Sequence, residues 1–504
     1  MHIKKIQISK EKIIQLIIVA ILMLSFGCQE NKSVQKREAA TNVANTKPNL
    51  LFIFADQYRR QAMGFLNEDP VITPNIDHLA KEGIYFSKAV ANHPLCSPYR
   101  GMLVTGQYPL TNGVIANCHS GRTKFNNYLD KRTETFSDVV AKNGYNAGYI
   151  GKWHLEGPKP TAPGETTVWD AWCPQDRRHG YDFWYAYNAD NHHFKPHYWA
   201  TNAEENEAVY VNKWSPEHEA NVIMEYLEGA GHAPRDANKP FALFWSINPP
   251  HNPYREVPEK YREHYKGKSH KDLLKRPNAR FTDNNTLKAG DRGVEEKISE
   301  APDYFACVTG VDDQIGRVIA KLKALGIYDN TIIVFSSDHG EMLGSQGLMH
   351  KNIWFRESYE IPFIVHWPKK IAPKTEDLLI SVPDYMPTLL GLMGLEKEIP
   401  DSVEGVNYSP ILLGQEMQRP DSQLYFGSEP SNPSLGRRGF RDMQHTFAVV
   451  KDNKDGSKTY YLYDDKNDPY QLENIWGRDK EVDDQVMTKL TSLLTKMNDP
   501  WIKN

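Results

Sequence analysis

Cysteine is scarce in this chain, and its scarcity excludes a fold held together by disulfide bonds. Five cysteines occur among 504 residues. Two of them, Cys28 and Cys96, lie in motifs that give them other uses. The remaining three, Cys118, Cys173 and Cys307, can form at most one disulfide bond, so they cannot provide a disulfide framework. A chain of this length can instead bury a large hydrophobic core.

The chain also lacks an excess of charge of either sign. Sixty Lys and Arg residues stand against 64 Asp and Glu residues, so the formal net charge is -4 at pH 7. This balance gives no indication of a nucleic-acid partner. No internal repeat and no long low-complexity segment is visible, and the composition is ordinary for a soluble globular protein.

The N-terminal hydrophobic run is too short to cross a membrane comfortably. It extends from Ile13 to Leu24 behind several lysines, a pattern typical of an export signal. The following Ser25-Phe26-Gly27-Cys28 resembles a bacterial lipobox, in which Cys28 is lipidated; cleavage near Gly27 and plain secretion is the alternative. Both predict export to the periplasm or cell surface, and in the lipidated form the lipid anchor is the only expected membrane contact. We therefore predict a signal peptide at 1–27 and a flexible polar tether at 28–47.

From residue 48 onward, apolar runs alternate with amphipathic segments. Strands are predicted at 48–56, 84–86, 145–150, 241–247, 331–337 and 361–367, and helices at 75–83, 135–143 and 301–325. This alternation predicts an α/β fold, with a mostly parallel central sheet between helices. The stretch 181–199, rich in Trp, Tyr and His, is predicted to leave the sheet and to wall a pocket.

The region after about residue 400 has a different pattern. It contains short strand-like pieces at 424–427, 446–451 and 460–463 and a final helix near 483–497. We therefore predict a large domain at 48–395 and a smaller C-terminal α+β subdomain with an antiparallel sheet at 396–504.

Cys96-Ser97-Pro98-Tyr99-Arg100 is the most informative motif. Ser97 suits an N-cap and Pro98 the first helical position, which would put Cys96 just before a helix start that favours an anion. Arg100 adds a permanent charge with forked donors suited to a tetrahedral oxyanion. The motif therefore suggests chemistry on a sulfate or phosphate ester. A buried cysteine before an ordinary helix is the alternative.

Carboxylates and an imidazole follow the predicted strands. Asp56 ends the first strand, Asp338 and His339 end another, and Gln57 and Asn352 could add neutral oxygens. In open α/β sheets this edge is where ligands bind. An oxygen-rich set suits Ca²⁺ or Mg²⁺, although Asp and His without thiolates also permit Mn²⁺ or Zn²⁺. A helix cap with a satisfied histidine is the alternative for Asp338 and His339.

Basic side chains follow the same strands. Lys152 and His154 alternate in sequence and share one face of an extended backbone. A lysine can neutralise a transferring oxyanion, and a histidine can move its proton. His251 follows two prolines in a rigid turn, and Lys351 lies in a Gly-rich loop. Taken singly, each lysine is better explained as a solvated surface residue.

In order and spacing, these motifs resemble those of the type I sulfatases of the alkaline-phosphatase superfamily. The motifs are P-N-L-L-F-I-F-A-D at 48–56, C-x-P-x-R at 96–100, G-K-W-H at 151–154, P-P-H at 249–251 and S-D-H-G at 337–340. The similarity covers about residues 48–480. It implies an alkaline-phosphatase-like large domain and a sulfuric ester hydrolase.

The resemblance also implies a modified nucleophile and a metal. A formylglycine-generating maturation enzyme would convert Cys96 to formylglycine (3-oxoalanine), whose hydrated diol attacks sulfur and forms a covalent sulfo-enzyme intermediate. Residue 96 would join Asp56, Asp338 and His339 as ligands of one divalent ion, Ca²⁺ ahead of Mg²⁺ or Mn²⁺. Gln57 is an additional ligand candidate.

The remaining motif residues receive catalytic roles from the same resemblance. Arg100 would stabilise the nucleophile, and Lys152 and Lys351 would hold sulfate oxygens. His154 would take the proton of the diol, and His251 would protonate the leaving oxygen.

Three positions depart from the family pattern. Asp56-Gln57 and Asp338-His339 stand where many sulfatases have Asp-Asp and Asp-Asn. Both variants also occur among phosphonate monoester hydrolases and choline-sulfatase-like enzymes. Tyr99 replaces the usual small residue before the arginine, and the sequence suggests no purpose for it.

The expected substrate is a sulfated polysaccharide or its oligosaccharides, of the algal ulvan type before carrageenan, fucoidan or glycosaminoglycans. Candidate sugar contacts are His192, His193 and Arg177, with His197 and Arg178 nearby; a solvated structural loop is the alternative. Two rival functions are a phosphonate or phosphate ester hydrolase on the same fold and an inactive surface glycan-binding lipoprotein. The intact set of catalytic residues argues against the second rival.

Overall fold

The computed structural model describes residues 47–162, 164–231, 235–282, 286–289 and 295–503. The predicted signal peptide, the lipidation site Cys28 and all but the last residue of the predicted tether lie outside the described residues. Within the described ranges, no helix combines the length and the apolar character needed to span a membrane.

Ten strands form the main sheet, and its centre is parallel. In spatial order the strands are Lys374–Glu376, Ile84–Phe86, Phe363–His366, Thr331–Ser337, Asn49–Ala55, Phe241–Ile247, Asn146–Lys152, Phe183–Tyr187, His197–Ala200 and Val209–Tyr210. The five strands from Thr331–Ser337 to Phe183–Tyr187 run parallel, and antiparallel neighbours flank them on both sides. The predicted mostly parallel sheet is confirmed, and every predicted strand of the large domain is present.

The central strands are continuously apolar because helices cover both of their faces. Strand Asn49–Ala55 is buried at every position. Its side chains alternate between two core clusters, with Leu51 and Ile53 in one and Leu50 and Phe52 in the other. Among the described residues, the α-helices are Pro74–Glu82, Cys96–Thr105, Pro109–Asn112, Ser120–Thr123, Phe136–Lys142, Ser215–Glu228, Glu259–Arg262, His270–Leu273, Ala301–Ala324, Arg356–Tyr359, Tyr385–Leu392, Ser409–Leu412 and Lys480–Lys496.

The prediction that the aromatic stretch 181–199 leaves the sheet was wrong. It contributes two strands, Phe183–Tyr187 and His197–Ala200, which pair antiparallel. Most of its aromatic side chains are core residues, as the stacked rings of Tyr185 and Tyr198 with centroids 4.6 Å apart illustrate, whereas Phe194 is exposed. In the loop between the two strands, Ala189 and Asn191 line a cavity.

The C-terminal region forms a four-stranded antiparallel sheet, as predicted. Its strands are Ser422–Gly427, Gly436–Asp442, His445–Lys451 and Lys458–Asp464, in that spatial order. Helix Lys480–Lys496 packs Leu490 and Leu494 against the sheet residues Phe440 and Phe447. A further small sheet contains Thr286–Ala289, Glu295–Lys297 and Leu348–Met349.

The C-terminal sheet and the large sheet belong to one compact unit that begins at Pro48. A buried ion pair joins them, because Arg441 lies 2.6 Å from Glu360 in the loop before strand Phe363–His366. Cys118, Cys173 and Cys307 are buried, unbridged thiols. The bridge that the sequence left open is therefore not formed among these three.

Glu219 gives the fold a specific pH dependence. Its carboxyl group is fully buried beneath Tyr198 and Trp245, which donate hydrogen bonds of 2.8 Å each. Burial raises its pKa from 4.5 to about 8. Between these values the unfolded chain releases a proton that the folded chain retains, so the free energy of unfolding falls as pH rises.

Replacing Glu219 by glutamine should therefore flatten the pH dependence of stability. The amide resembles the protonated carboxyl group and can serve both neighbours. We expect the fall in Tm between about pH 5 and about pH 8 to be smaller than in the wild type, as thermal unfolding across this range would measure. Glu225→Gln, an exposed change on the same helix, is the control; identical slopes for all three proteins would refute the assignment.

Candidate active site

The parallel strands bring the predicted site residues to one edge of the sheet. Strands Asn49–Ala55 and Thr331–Ser337 pair in register, with Ala55 opposite Ser337. The residues that follow them, Asp56 and Asp338, are therefore neighbours. Lys152 ends strand Asn146–Lys152 and His251 follows strand Phe241–Ile247, so the predicted groups converge at the carboxyl edge.

The helix that carries Cys96 begins two residues earlier than expected. It spans Cys96–Thr105, and its N-cap is Leu95. The prediction that Ser97 caps the helix was wrong, because its hydroxyl accepts a 3.0 Å hydrogen bond from the N–H of Cys118 instead. Cys96 is thus the first helical residue.

Four buried side chains form a group that could hold a metal ion. The ligand atoms of Asp56, Cys96, Asp338 and His339 all lie within 4.8 Å of one another. His339 Nδ1 lies 3.0 Å from the carbonyl of Gly340, to which it can donate, so the Nε2 lone pair faces the carboxylates at 3.4 and 3.5 Å. Acceptor atoms that face one another in this way fit a cation between them.

Arg100 and Lys152 balance the charge of the two carboxylates. The Arg100 guanidinium donates to Asp56 and Asp338 at 3.1 and 3.2 Å, and Lys152 Nζ donates to Asp56 at 2.7 Å. Although burial favours a raised value, the positive charges of Lys152 and Arg100 hold the pKa of Asp56 well below its usual range. Burial and the nearby Asp56 raise the pKa of Asp338 to about 7.

Gln57 lies beside this group rather than among its closest atoms. Its N–H donates to Asp338 at 3.0 Å. Its side-chain Nε2 donates to Glu341, and its Oε1 accepts a hydrogen bond from Lys351 Nζ. Gln57 therefore connects Lys351 to the carboxylate cluster.

His154 has the protonation pattern of a general base. Its Nε2 lies 3.2 Å from the carbonyl of Cys118, to which it can donate, while Nδ1 is buried without a hydrogen-bond partner among the described residues. Burial and the neighbouring charge of Lys152 hold its pKa well below the usual value. The ring is therefore neutral and has a lone pair to accept a proton.

His251 is held in a similar way. Its Nδ1 lies 2.8 Å from the carbonyl of Asn252, which leaves Nε2 for a substrate. Burial, Lys351 and Lys152 lower its pKa well below the usual value. A bound anion would counter the two lysines and favour protonation of this ring.

A cavity of about 940 Å³ opens above these residues. Cys96, Lys152, His154, His251 and Lys351 all line it. Sequence reasoning missed most of its rim, which comes from three segments of the large domain and from the strands and loops of the C-terminal sheet. The rim residues include His119, Arg122, Trp169, Asn191, Glu429, Arg437 and Lys454.

The three candidate sugar contacts do not line this cavity. His193 is buried, and its Nε2 lies 2.8 Å from the carbonyl of His251, so the ring supports the turn that carries that residue. Arg177 pairs with Glu156 at 2.6 Å. His192 is exposed and pairs with Asp190 at 2.6 Å.

The two neighbouring candidates are structural as well. His197 lies between Asp170 and Asp190, and although burial opposes it, these carboxylates raise its pKa to about 9. Arg178 is buried and donates to the carbonyl of Thr201 at 2.5 Å.

Tyr99 points away from the cavity and into the core. Its ring is fully buried beside Phe54, with centroids 6.0 Å apart, and its hydroxyl donates to Ser336 at 3.3 Å. The large residue in the motif therefore packs the helix against the sheet.

Two family models match the chain. The model described as Sulfatase matches residues 48–395. The model described as N-sulphoglucosamine sulphohydrolase, C-terminal, matches residues 344–499.

Individual proteins are similar along almost their whole length. An endo-4-O-sulfatase of Bacteroides thetaiotaomicron is 38% identical over 516 residues, which cover 95% of this chain and 97% of the relative. An ulvan-active sulfatase of Formosa agariphila is 31% identical over 519 residues, with coverages of 99% and 92%. A solved Bacteroides thetaiotaomicron structure, described with the metabolism of multiple glycosaminoglycans, has a TM-score of 0.82 at 38% identity and coverages of 90% and 97%. The predicted alkaline-phosphatase-like fold is confirmed.

Proposed function

We propose that this chain, which belongs to the sulfatase family and is a sulfuric ester hydrolase, is an exported enzyme that removes sulfate from a polysaccharide. The observation that carries this proposal is the shared cavity above Asp56, Asp338 and His339, lined by Cys96 and by the basic residues that a sulfate ester requires.

Residue 96 supplies the nucleophile in this proposal. Oxidation of Cys96 to formylglycine by the maturation enzyme and hydration of the aldehyde would give a geminal diol. One hydroxyl would attack sulfur while the S–O bond to the sugar breaks and the alcohol leaves. Loss of the proton from the second hydroxyl would then restore the aldehyde and expel sulfate. Arg100, which contacts both carboxylates, would hold the attacking oxygen, and His154 Nδ1 would accept its proton. Lys152 and Lys351 would neutralise the sulfate oxygens.

The metal site supports the same chemistry. Asp56, Asp338 and His339 would hold one divalent cation, Ca²⁺ ahead of Mg²⁺ or Mn²⁺, because the set is rich in oxygen. When bound, the cation would offset the negative charge of the sulfate group and of the attacking oxygen.

The finer identity of the substrate rests on the relatives. The relative with 38% identity is named for 4-O-sulfate esters and endo action, and the one with 31% identity is named for ulvan. We propose an internal 4-O-sulfate ester of a polysaccharide as the first candidate and keep the ulvan-type substrate as the second. Export through the segment 1–27 and anchoring at Cys28 remain part of the proposal.

A panel assay tests the function. We expect the purified enzyme to release sulfate from chondroitin sulfate or ulvan, and to prefer an aryl sulfate to the matching aryl phosphate and phosphonate. A preference for phosphate or phosphonate would favour the rival hydrolase, and activity on no ester at all would favour the inactive glycan-binding protein.

Replacing His251 by alanine should have an effect that depends on the leaving group. A sugar hydroxyl needs a proton as it leaves, whereas an acidic phenol does not. We expect kcat/KM to fall about 100-fold or more for a sulfated oligosaccharide and far less for nitrophenyl sulfate. The exposed His264→Ala is the control. Equal losses on both substrates would exclude His251 as the general acid.

A further inference from the structure

One wall of the active-site cavity carries an exposed tryptophan that the proposed chemistry does not use. Trp169 is 43% exposed, yet it lines the cavity together with Cys96, Lys152 and His154. A large aromatic surface that stays open inside a concave site indicates contact with a ligand.

The backbone around Trp169 is fixed although it lies in a loop. The carbonyl of Trp169 accepts a 2.9 Å hydrogen bond from Asn188. Val168 exchanges two hydrogen bonds with Ser120, at 2.9 and 3.0 Å. The carboxylate of Asp170 accepts the N–H of Asn188 at 2.9 Å. The backbone that carries the indole is therefore already in place before a ligand arrives, which reduces the entropy lost on binding.

Two imidazoles flank the indole. Its ring centroid lies 4.7 Å from that of His119 and 6.1 Å from that of His154. Burial and the neighbouring Arg122 lower the pKa of His119 to about 4, and burial likewise keeps His154 neutral. A flat, uncharged surface thus adjoins the cationic centre formed by Lys152 and Lys351.

We propose that Trp169, backed by His119, is the platform on which a pyranose ring of the substrate stacks, next to the ester that is cleaved. The apolar C–H face of a sugar ring matches the indole, and its sulfate group matches the adjoining cations. Because Trp169 contacts His154, the platform lies directly beside the proposed general base. This inference rests on the proposed function and adds a specificity-determining residue to it.

Kinetics of Trp169→Ala and Trp169→Phe test the platform. For a sulfated oligosaccharide, we expect Trp169→Ala to raise KM about tenfold with little change in kcat, and Trp169→Phe to recover most of the loss. Inhibition of the wild type and of both variants by inorganic sulfate should be equal, because sulfate has no sugar ring.

Two controls distinguish failure of the Trp169 platform from failure of the proposed function. Phe125→Ala removes an aromatic ring that is 41% exposed but does not line the cavity, and it should leave KM unchanged. The platform would be rejected if Trp169→Ala left the oligosaccharide KM unchanged, or if it weakened inhibition by sulfate as much as it raised that KM. Cleavage of the glycan by the wild type would still support the proposed function in that case. Failure of the wild type on every glycan would overturn both proposals.

Discussion

Replacing Cys96 by alanine is expected to reduce sulfate release by at least about 1000-fold, because the change removes the only source of the nucleophile in the proposal. The fold should survive. Cys96 is a small, buried residue at the first position of helix Cys96–Thr105, and alanine is a good helix former. Thermal unfolding and kcat on an aryl sulfate together would separate loss of chemistry from loss of structure.

Two matched variants sharpen this result. Cys307→Ala removes another buried thiol, far along the chain in helix Ala301–Ala324, and should retain activity. Cys96→Ser retains one hydroxyl but not the second hydroxyl of a diol, so we expect a sulfate ester on residue 96 that persists instead of turning over. Multiple turnovers by Cys96→Ser at the wild-type rate would contradict the diol mechanism.

Replacing Asp338 by asparagine is expected to lower activity on every sulfate ester, whatever its leaving group. The carboxylate faces Asp56, Cys96 and His339 within the metal-binding group, so its loss should lower kcat by about 100-fold or more. The same change removes one of two neighbouring buried negative charges. Without metal, we therefore expect the Tm of Asp338→Asn to equal or exceed that of the wild type.

Calcium distinguishes a lost metal ligand from a damaged fold. A metal present at 100 times its Kd stabilises the folded protein by about 2.7 kcal/mol, which thermal unfolding detects. We expect Ca²⁺ to raise the Tm of the wild type above that in chelator, and to leave Asp338→Asn unchanged. Asp312→Asn neutralises a buried aspartate that caps helix Pro74–Glu82 and should retain the calcium effect. A full calcium shift in Asp338→Asn would exclude Asp338 as a ligand.

The sequence predicted the centre of the sheet and the catalytic edge because both depend on short motifs. Continuous apolar runs identify buried parallel strands, and Asp56 and Asp338 follow two of them directly. Parallel pairing then brings the side chains together without further information. His154 and His251 follow neighbouring strands and were predicted for the same reason.

The errors lie where tertiary contacts override local preference. Serine is a residue type that favours the N-cap, but the hydroxyl of Ser97 accepts a hydrogen bond from the N–H of Cys118 instead. The aromatic stretch 181–199 indicated a binding loop, yet most of its rings fill the core. Strand Gly436–Asp442 was missed because its residues, Gly-Arg-Arg-Gly-Phe-Arg-Asp, lack the alternation of a half-buried strand.

The rim of the cavity could not be predicted for a related reason. Arg437 comes from the C-terminal sheet and Trp169 from a loop of the large domain, and no local pattern links them to Cys96. Trp169 did carry a weak signal, as an aromatic residue in a polar stretch. Only the assembled fold places it next to His154.

Mass spectrometry of the peptide that contains residue 96, taken from active native enzyme, tests the central claim most directly. The proposal predicts that the cysteine side chain is replaced by an aldehyde, with loss of the sulfur atom and reactivity toward a hydrazide. An unmodified thiol at residue 96 in fully active enzyme would contradict it.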